Sequence, residues 1–313
     1  LCLGGIVVRF RELGFKQLDA LLSFTYLAQQ SGGGIKSVAA VSLGDRIYNA
    51  LIAYIGYIVN MLWPFKLACY YPFPTDFALW QVGGSILLMV LITWLAVQSA
   101  RRHPYLIVGW LWYLGTLIPV IGLVKIGAFA IADRHCYLPL IGIYVLAAWG
   151  VPELTSRLPH RQALMNGLLA FALVICMVTT WHQVGFWQNK STLFTRALRV
   201  TSNNWFAHNA LGLAFLKREK FSQAIEQFNK AMLIAPNYIT TYINLGRTYA
   251  IQNNLSEAIR YMSTAERMNP AQADVHQSLG ILYEQQGDPE KAVAHFSRAL
   301  ELGPETAIAH KHL

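Results

Sequence analysis

At 313 residues, 55% hydrophobic and only 13% charged, with a positive mean hydropathy, the chain is too apolar for one ordinary water-soluble domain. Its formal charge of +9 does not point to nucleic acid: residues 1–202 hold 15 Lys and Arg against six Asp and Glu, whereas residues 203–313 hold ten of each. The whole excess lies beside apolar segments, where basic residues fix the cytoplasmic side of a membrane protein, so a nucleic-acid partner is set aside.

In chain order, the first apolar stretch is 18–30, short for a span, which reads as the stump of a longer helix or a re-entrant piece. Five longer stretches follow at 46–65, 79–98, 104–124, 137–154 and 163–181. Each is near the roughly 20 residues that carry a helix across about 30 Å of hydrocarbon. Trp63-Pro64, Trp80, Trp181 and Trp187 mark their ends, as aromatic residues do at a water–lipid boundary, which disfavours core helices of a large soluble protein.

The short links predict orientation. Arg101 and Arg102 lie on one link and Arg157 and Arg161 on another, and strict alternation puts both on one side, expected to be cytoplasmic. The opposite links hold Lys66 with Asp76, and Lys125 with Asp133 and Arg134. Everything after Trp181 then lies outside the cytoplasm. Cys2, Cys69, Cys136 and Cys176 are far apart with no CxxC spacing, so neither a disulfide framework nor a metal site is expected.

Beyond residue 202 the sequence repeats itself. Aligned on Pro236, Pro270 and Pro304, a period of 34 brings together Leu211-Gly212, Leu245-Gly246 and Leu279-Gly280, then Phe215, Tyr249 and Tyr283. Ala224, Ala258 and Ala292 follow, and then Ala231, Ala265 and Ala299. This is the tetratricopeptide pattern: small residues let two antiparallel helices approach, an aromatic fills the gap, and Pro ends the second helix. Phe194 and Ala197 fall in phase ahead of it, with Ser202 where Pro belongs, so residues 187–202 read as a capping half-repeat.

The predicted fold class is all-α: a transmembrane helical region over 1–186, then an α-solenoid over 203–313, with repeats at 203–236, 237–270, 271–304 and the start of a fourth. The chain opens at Leu1 without Met and stops inside that fourth repeat, as expected of an internal piece of a longer protein. A stack of this kind presents a groove lined by the first helix of each repeat. Asn209, Lys217, Asn244, Arg247, Gln277 and Glu284 are the candidate contacts there for a protein or peptide ligand, set against the plainer reading of a solvated helix face.

The stretch from Ile118 to Pro139, with Ala132-Asp133-Arg134 followed by Tyr137-Leu138-Pro139, then two spans, Trp187-Gln-Asn-Lys-Ser-Thr-Leu-Phe194 and the repeats, resembles the transmembrane-and-tetratricopeptide-repeat family of O-mannosyltransferase-like proteins. Asp45-Arg46, Trp63-Pro64 and Tyr71-Pro72 extend the likeness upstream, and His135 departs from it where Tyr is expected.

The resemblance implies a multi-span GT-C glycosyltransferase, which moves a sugar from a polyprenyl-phosphate carrier to a protein hydroxyl on the extracytoplasmic face. No covalently bound cofactor is implied, the lipid-linked sugar being a co-substrate. Such chemistry needs a carboxylate to take the hydroxyl proton and a cation to hold the departing phosphate. Arg134 suits the second role through its planar donor fork, with Asp133 orienting it and Lys125 adding positive potential. The plainer reading of that pair is an interfacial anchor.

The resemblance implies an essential acid in a first extracytoplasmic loop, which is expected to precede Leu1, and Asp76 and Asp133 form no adjacent acidic pair, so the catalytic base is unassigned. The expected setting is a bacterial inner membrane with periplasmic repeats, or an endoplasmic reticulum membrane with luminal ones, in contact with membrane lipid. The rival reading is a non-catalytic membrane scaffold whose repeats recruit proteins. A transporter is disfavoured because the central spans carry no charge in their interiors.

Overall fold

The computed structural model describes residues 42–74, 77–121 and 136–303, and among them the five longer apolar stretches and the repeats are built from helices. The 18–30 stretch and the loop carrying Lys125, Asp133 and Arg134 lie outside the described residues. The described part forms two compact units, 42–202 and 203–303.

In the first unit, α1 (Leu43–Leu62) starts where the Ser42 side chain accepts a hydrogen bond from the Asp45 amide, satisfying one of the orphan donors of a helix start. It ends at Trp63, and a single 3₁₀ turn (Pro64–Lys66) follows. Then come α2 (Leu79–Ser99), α3 (Pro104–Leu117), α4 (Tyr137–Leu154), α5 (Arg161–Gly185) and α6 (Lys190–Val200).

Three of the five expected spans, α2, α4 and α5, are long and apolar enough to cross a membrane. The other two differ from expectation. α1 has the length but not the apolarity, and α3 has 14 residues, about 21 Å of rise, because regular helix stops two residues before Pro119, which has no N–H to continue it.

Backbone contact, more than side-chain bulk, joins α3 to α4. A Cβ on Gly109 would sit 2.6 Å from the Gly142 carbonyl oxygen, and one on Gly142 would sit 2.3 Å from that of Gly109. Small residues at such a crossing let apolar helices gain packing where water supplies no driving force. Around it Ala53, Tyr57, Trp110, Tyr113 and Leu117 are buried. Their polar ends are satisfied: Tyr54 donates to the Leu114 carbonyl at 2.9 Å, Tyr113 to that of Tyr54, and Trp110 to the Thr93 hydroxyl at 2.9 Å. α5, apolar over most of its length, buries none of its residues among the described part.

The second unit is three helical pairs: α7 (Trp205–Leu216) with α8 (Phe221–Ile234), α9 (Ile239–Ile251) with α10 (Leu255–Met268), and α11 (Ala273–Gln286) with α12 (Pro289–Leu302). The pattern residues do what their spacing requires. Ala224, Ala231, Ala258, Ala265 and Ala299 are fully buried, and Gly212, Gly246 and Gly280 each face a bulky residue of the second helix, Phe228, Met262 and Phe296. α7, α10 and α12 start on Asn204, Asn254 and Asp288, whose side chains accept from the amide three residues on.

Candidate functional site

The expected groove residues divide into two groups. Lys217, Arg247 and Glu284 are exposed and Gln277 is half-buried, on the first helices α7, α9 and α11 or at their ends. Asn209 and Asn244 are instead buried, at 2% and 4% exposure, and the Asn244 amide donates to the Asn209 carbonyl oxygen at 3.0 Å. These two tie α7 to α9 inside the stack, and the physical reason is plain: a buried amide must find a partner, and each supplies the other.

Asn189 and Asn254, which begin the two Asn-x-Ser triplets of the sequence, are both helix caps. Asn189 accepts from the Thr192 amide at 2.9 Å and Asn254 from the Glu257 amide at 3.3 Å. The residues expected to hold a lipid phosphate, Lys125, Asp133 and Arg134, lie outside the described residues.

Sequence reading misses a cluster in the last two repeats, formed by Glu266 at the end of α10, His276 in the first turn of α11 and His295 on α12. These residues are 10 and 19 positions apart, so no local motif announces them, and only the stacking of three helices brings them together. His276 Nδ1 lies 3.3 Å from His295 Nδ1 and 3.4 Å from Glu266 Oε1, and His295 Nδ1 lies 3.7 Å from the same oxygen. His276 Nε2 is 2.9 Å from the Pro270 carbonyl oxygen, which can only accept, so that nitrogen carries the hydrogen.

The neighbourhood is aromatic and partly dry. Tyr283 stacks on His295 with ring centroids 5.4 Å apart, and burial pushes the His295 imidazole below its ordinary pKa, with Glu266 opposing and His276 assisting that shift. The 34-residue period offers the signal that could have found the cluster. Position 276 corresponds to Tyr242, which donates to the Pro236 carbonyl at the same 2.9 Å, and position 295 corresponds to Tyr261, which stacks on Tyr249. The two positions that are tyrosine in the second repeat are therefore both imidazole in the third.

Comparison with known proteins agrees with the repeat reading. Family models described as tetratricopeptide repeat match residues 205–238 and 243–307. Among curated proteins, Protein O-mannosyl-transferase TMTC3 of Homo sapiens is 29% identical over 109 residues, covering 35% of this chain and 12% of that protein. Tmtc2 of Drosophila melanogaster is 26% identical over 144 residues, 45% of this chain and 15% of the relative. The chain thus spans about an eighth of the length of the first of these relatives.

Solved structures overlap it in part. The crystal structure of MamA is 21% identical with a TM-score of 0.37, covering 39% of this chain and 71% of that one. YrrB, titled a TPR protein with an unusual peptide-binding site, is 18% identical with a TM-score of 0.36, covering 56% and 90%. Among the described residues the regular structure is all helical, with apolar helices followed by a tetratricopeptide-repeat array, and the chain is similar to the TMTC protein O-mannosyl-transferases.

Proposed function

We propose that this chain is the carrier-lipid-binding and acceptor-presenting part of a membrane-embedded protein O-glycosyltransferase, which uses a polyprenyl-phosphate sugar as donor and places its repeats on the extracytoplasmic side. The observation that carries this reading is the order of elements, apolar membrane-length helices directly followed by a repeat array, in a chain similar to O-mannosyl-transferases.

The exposed Lys217, Arg247 and Glu284 on the first helices supply mixed charge for an extended peptide segment of the acceptor. Arg134 supplies a two-pronged cation for the lipid phosphate, with Asp133 and Lys125 beside it. The second reading, a non-catalytic scaffold, is favoured by one observation: Asp76 and Asp133, the acids expected on the outer side, form no adjacent pair.

The test uses the full-length protein in lipid nanodiscs with a radiolabelled polyprenyl-phosphate mannose and a protein acceptor. Donor binding should fall from wild type to Arg134→Lys to Arg134→Ala, the last by roughly a hundredfold, the effect of losing about 2–3 kcal/mol of charge-assisted contact. If Arg134→Ala keeps donor binding and transfer while lowering thermal stability, the residue is an interfacial anchor. Acceptor binding with no transfer from the intact protein would favour the scaffold.

A further inference from the structure

We propose that Glu266, His276 and His295 form a binding site for a zinc-class divalent metal ion, held by Glu266 Oε1 and the Nδ1 atoms of both imidazoles, with a fourth position left to solvent or an incoming ligand. The site is separate from the lipid-phosphate and groove residues of the reading above and does not depend on it.

The geometry carries the proposal. A tetrahedral zinc with metal–ligand bonds of about 2.0–2.1 Å sets its ligand atoms about 3.3–3.4 Å from one another. The three edges of this cluster are 3.3, 3.4 and 3.7 Å. An ion just above the plane of that triangle, with its fourth position facing away from the three donors, therefore needs only small side-chain adjustments.

The donor atoms are also correctly prepared. His276 is 5% exposed and its Nε2–H is committed to the Pro270 carbonyl, so in the neutral ring the Nδ1 lone pair points into the cluster. A ligating imidazole held by its second nitrogen on a backbone carbonyl is the usual outer arrangement of a metal site. With Nδ1 of His276 an acceptor and the Glu266 carboxylate an acceptor, one hydrogen on His295 cannot serve both at once. A cation satisfies all three lone pairs together.

Two imidazoles and one carboxylate are a donor set that suits zinc and its neighbours and leaves one position open. Glu266 and the His295 ring retain 28% and 19% of their side-chain exposure, so that position has access to water. The ion would bridge the second repeat, through Glu266, to the third.

The repeat period supplies an internal comparison. The first repeat has His208 and Gln227 at the equivalent places, 2.9 Å apart, with Leu198 where Glu266 stands, and the second has Tyr242 and Tyr261 with Met232 there. Among the described residues, three converging ligand groups occur in the third set alone.

The test uses the full chain in detergent, stripped with a chelator and with its cysteines alkylated so that thiols do not contribute. Zinc is titrated in competition with a chromophoric chelator, and cobalt(II) is used to read tetrahedral coordination from its visible bands. One equivalent should bind. Glu266→Gln and His295→Gln should each weaken it by more than about the 10–100-fold that loss of an outer partner costs.

His276→Tyr installs the residue of the second repeat, keeps a donor for the Pro270 carbonyl, and should abolish the cobalt bands with a helical melt like that of the metal-free wild type. His208→Ala should change nothing in the titration. Failure of the wild type to compete for zinc, or undiminished binding in His276→Tyr and Glu266→Gln, overturns the site. If His276→Tyr alters the melt, the Glu266→Gln and His295→Gln variants, at half-buried positions, decide the matter.

Discussion

Gly280→Ala is a demanding test of how the repeats are packed. A Cβ at position 280 would lie 2.6, 2.7 and 2.9 Å from three ring atoms of Phe296, where ordinary contact needs about an ångström more. Phe296 is 1% exposed and held among Ala292, Ala299 and Tyr283, so the ring has nowhere to go without moving α12. Overpacking of this kind costs about 1–3 kcal/mol, while replacing a mid-helix Gly by Ala returns about 1 kcal/mol of helix propensity.

The net expectation is a loss of up to about 2 kcal/mol, or amide exchange in α11 and α12 faster by up to roughly 30-fold. Gly212→Ala faces Phe228 at 2.5 Å and should behave alike. Gly246→Ala faces Met262, whose unbranched chain can turn aside, so its net effect should be near zero. Hydrogen exchange with mass spectrometry on the full chain reads all three. Equal effects at 246 and 280, or an additive Gly280→Ala/Phe296→Leu double mutant, would refute steric contact as the cause.

Glu219, Asn253 and Gly287 occupy the same turn in successive repeats, with φ of 58°, 58° and 85°. A left-handed backbone costs an ordinary side chain about 1–2 kcal/mol, so Glu219→Gly should raise the melting temperature modestly and Gly287→Ala should lower it. Asp288 caps α12, and its hydrogen bonds to Lys291 hold the carboxyl below its ordinary value. Because the folded pKa is the lower one, its contribution is complete above about pH 4 and is lost as pH falls through the folded value. A urea melt series should show Asp288→Asn narrowing the gap to wild type only in that acid range. A single Cys introduced in the repeats should react with an impermeant thiol reagent in intact cells or right-side-out vesicles; labelling only after lysis refutes the extracytoplasmic placement.

The sequence made the helices legible and the cluster illegible, for physical reasons. Period 34 is a statement about packing, and Gly212, Ala224 and Ala231 are small because a neighbouring helix passes close, so the pattern maps directly onto contacts. In the third span hydropathy continues past Pro119, whereas regular helix ends at Leu117 and gives way to turns over the last described residues, 118–121. Polarity in the sequence suggests water and so marks Asn209 and Asn244 as groove candidates; their mutual hydrogen bond shows that polarity can equally mean a partner indoors. Glu266, His276 and His295 stayed hidden because a set of ligands is defined by distance in space, and a helical stack scrambles that against distance along the chain.

Tyr242 and His276 perform one task, each giving a hydrogen to the carbonyl of the proline that closes the preceding helix. The stack asks of that place a ring of suitable reach with a donor at its tip, and it is indifferent to what the rest of the ring can do. Tyrosine spends its only polar atom on the task, whereas histidine has a second nitrogen left over. Exchange of the two residues at this place keeps the hydrogen bond to the proline carbonyl and changes the chemistry offered to the neighbours. A lineage can pass between the two residues by drift, and selection meets the spare nitrogen only when a neighbour such as His295 or Glu266 comes to face it. New binding properties can in this way accumulate in a repeat array one unit at a time, while the other units keep the architecture in trust.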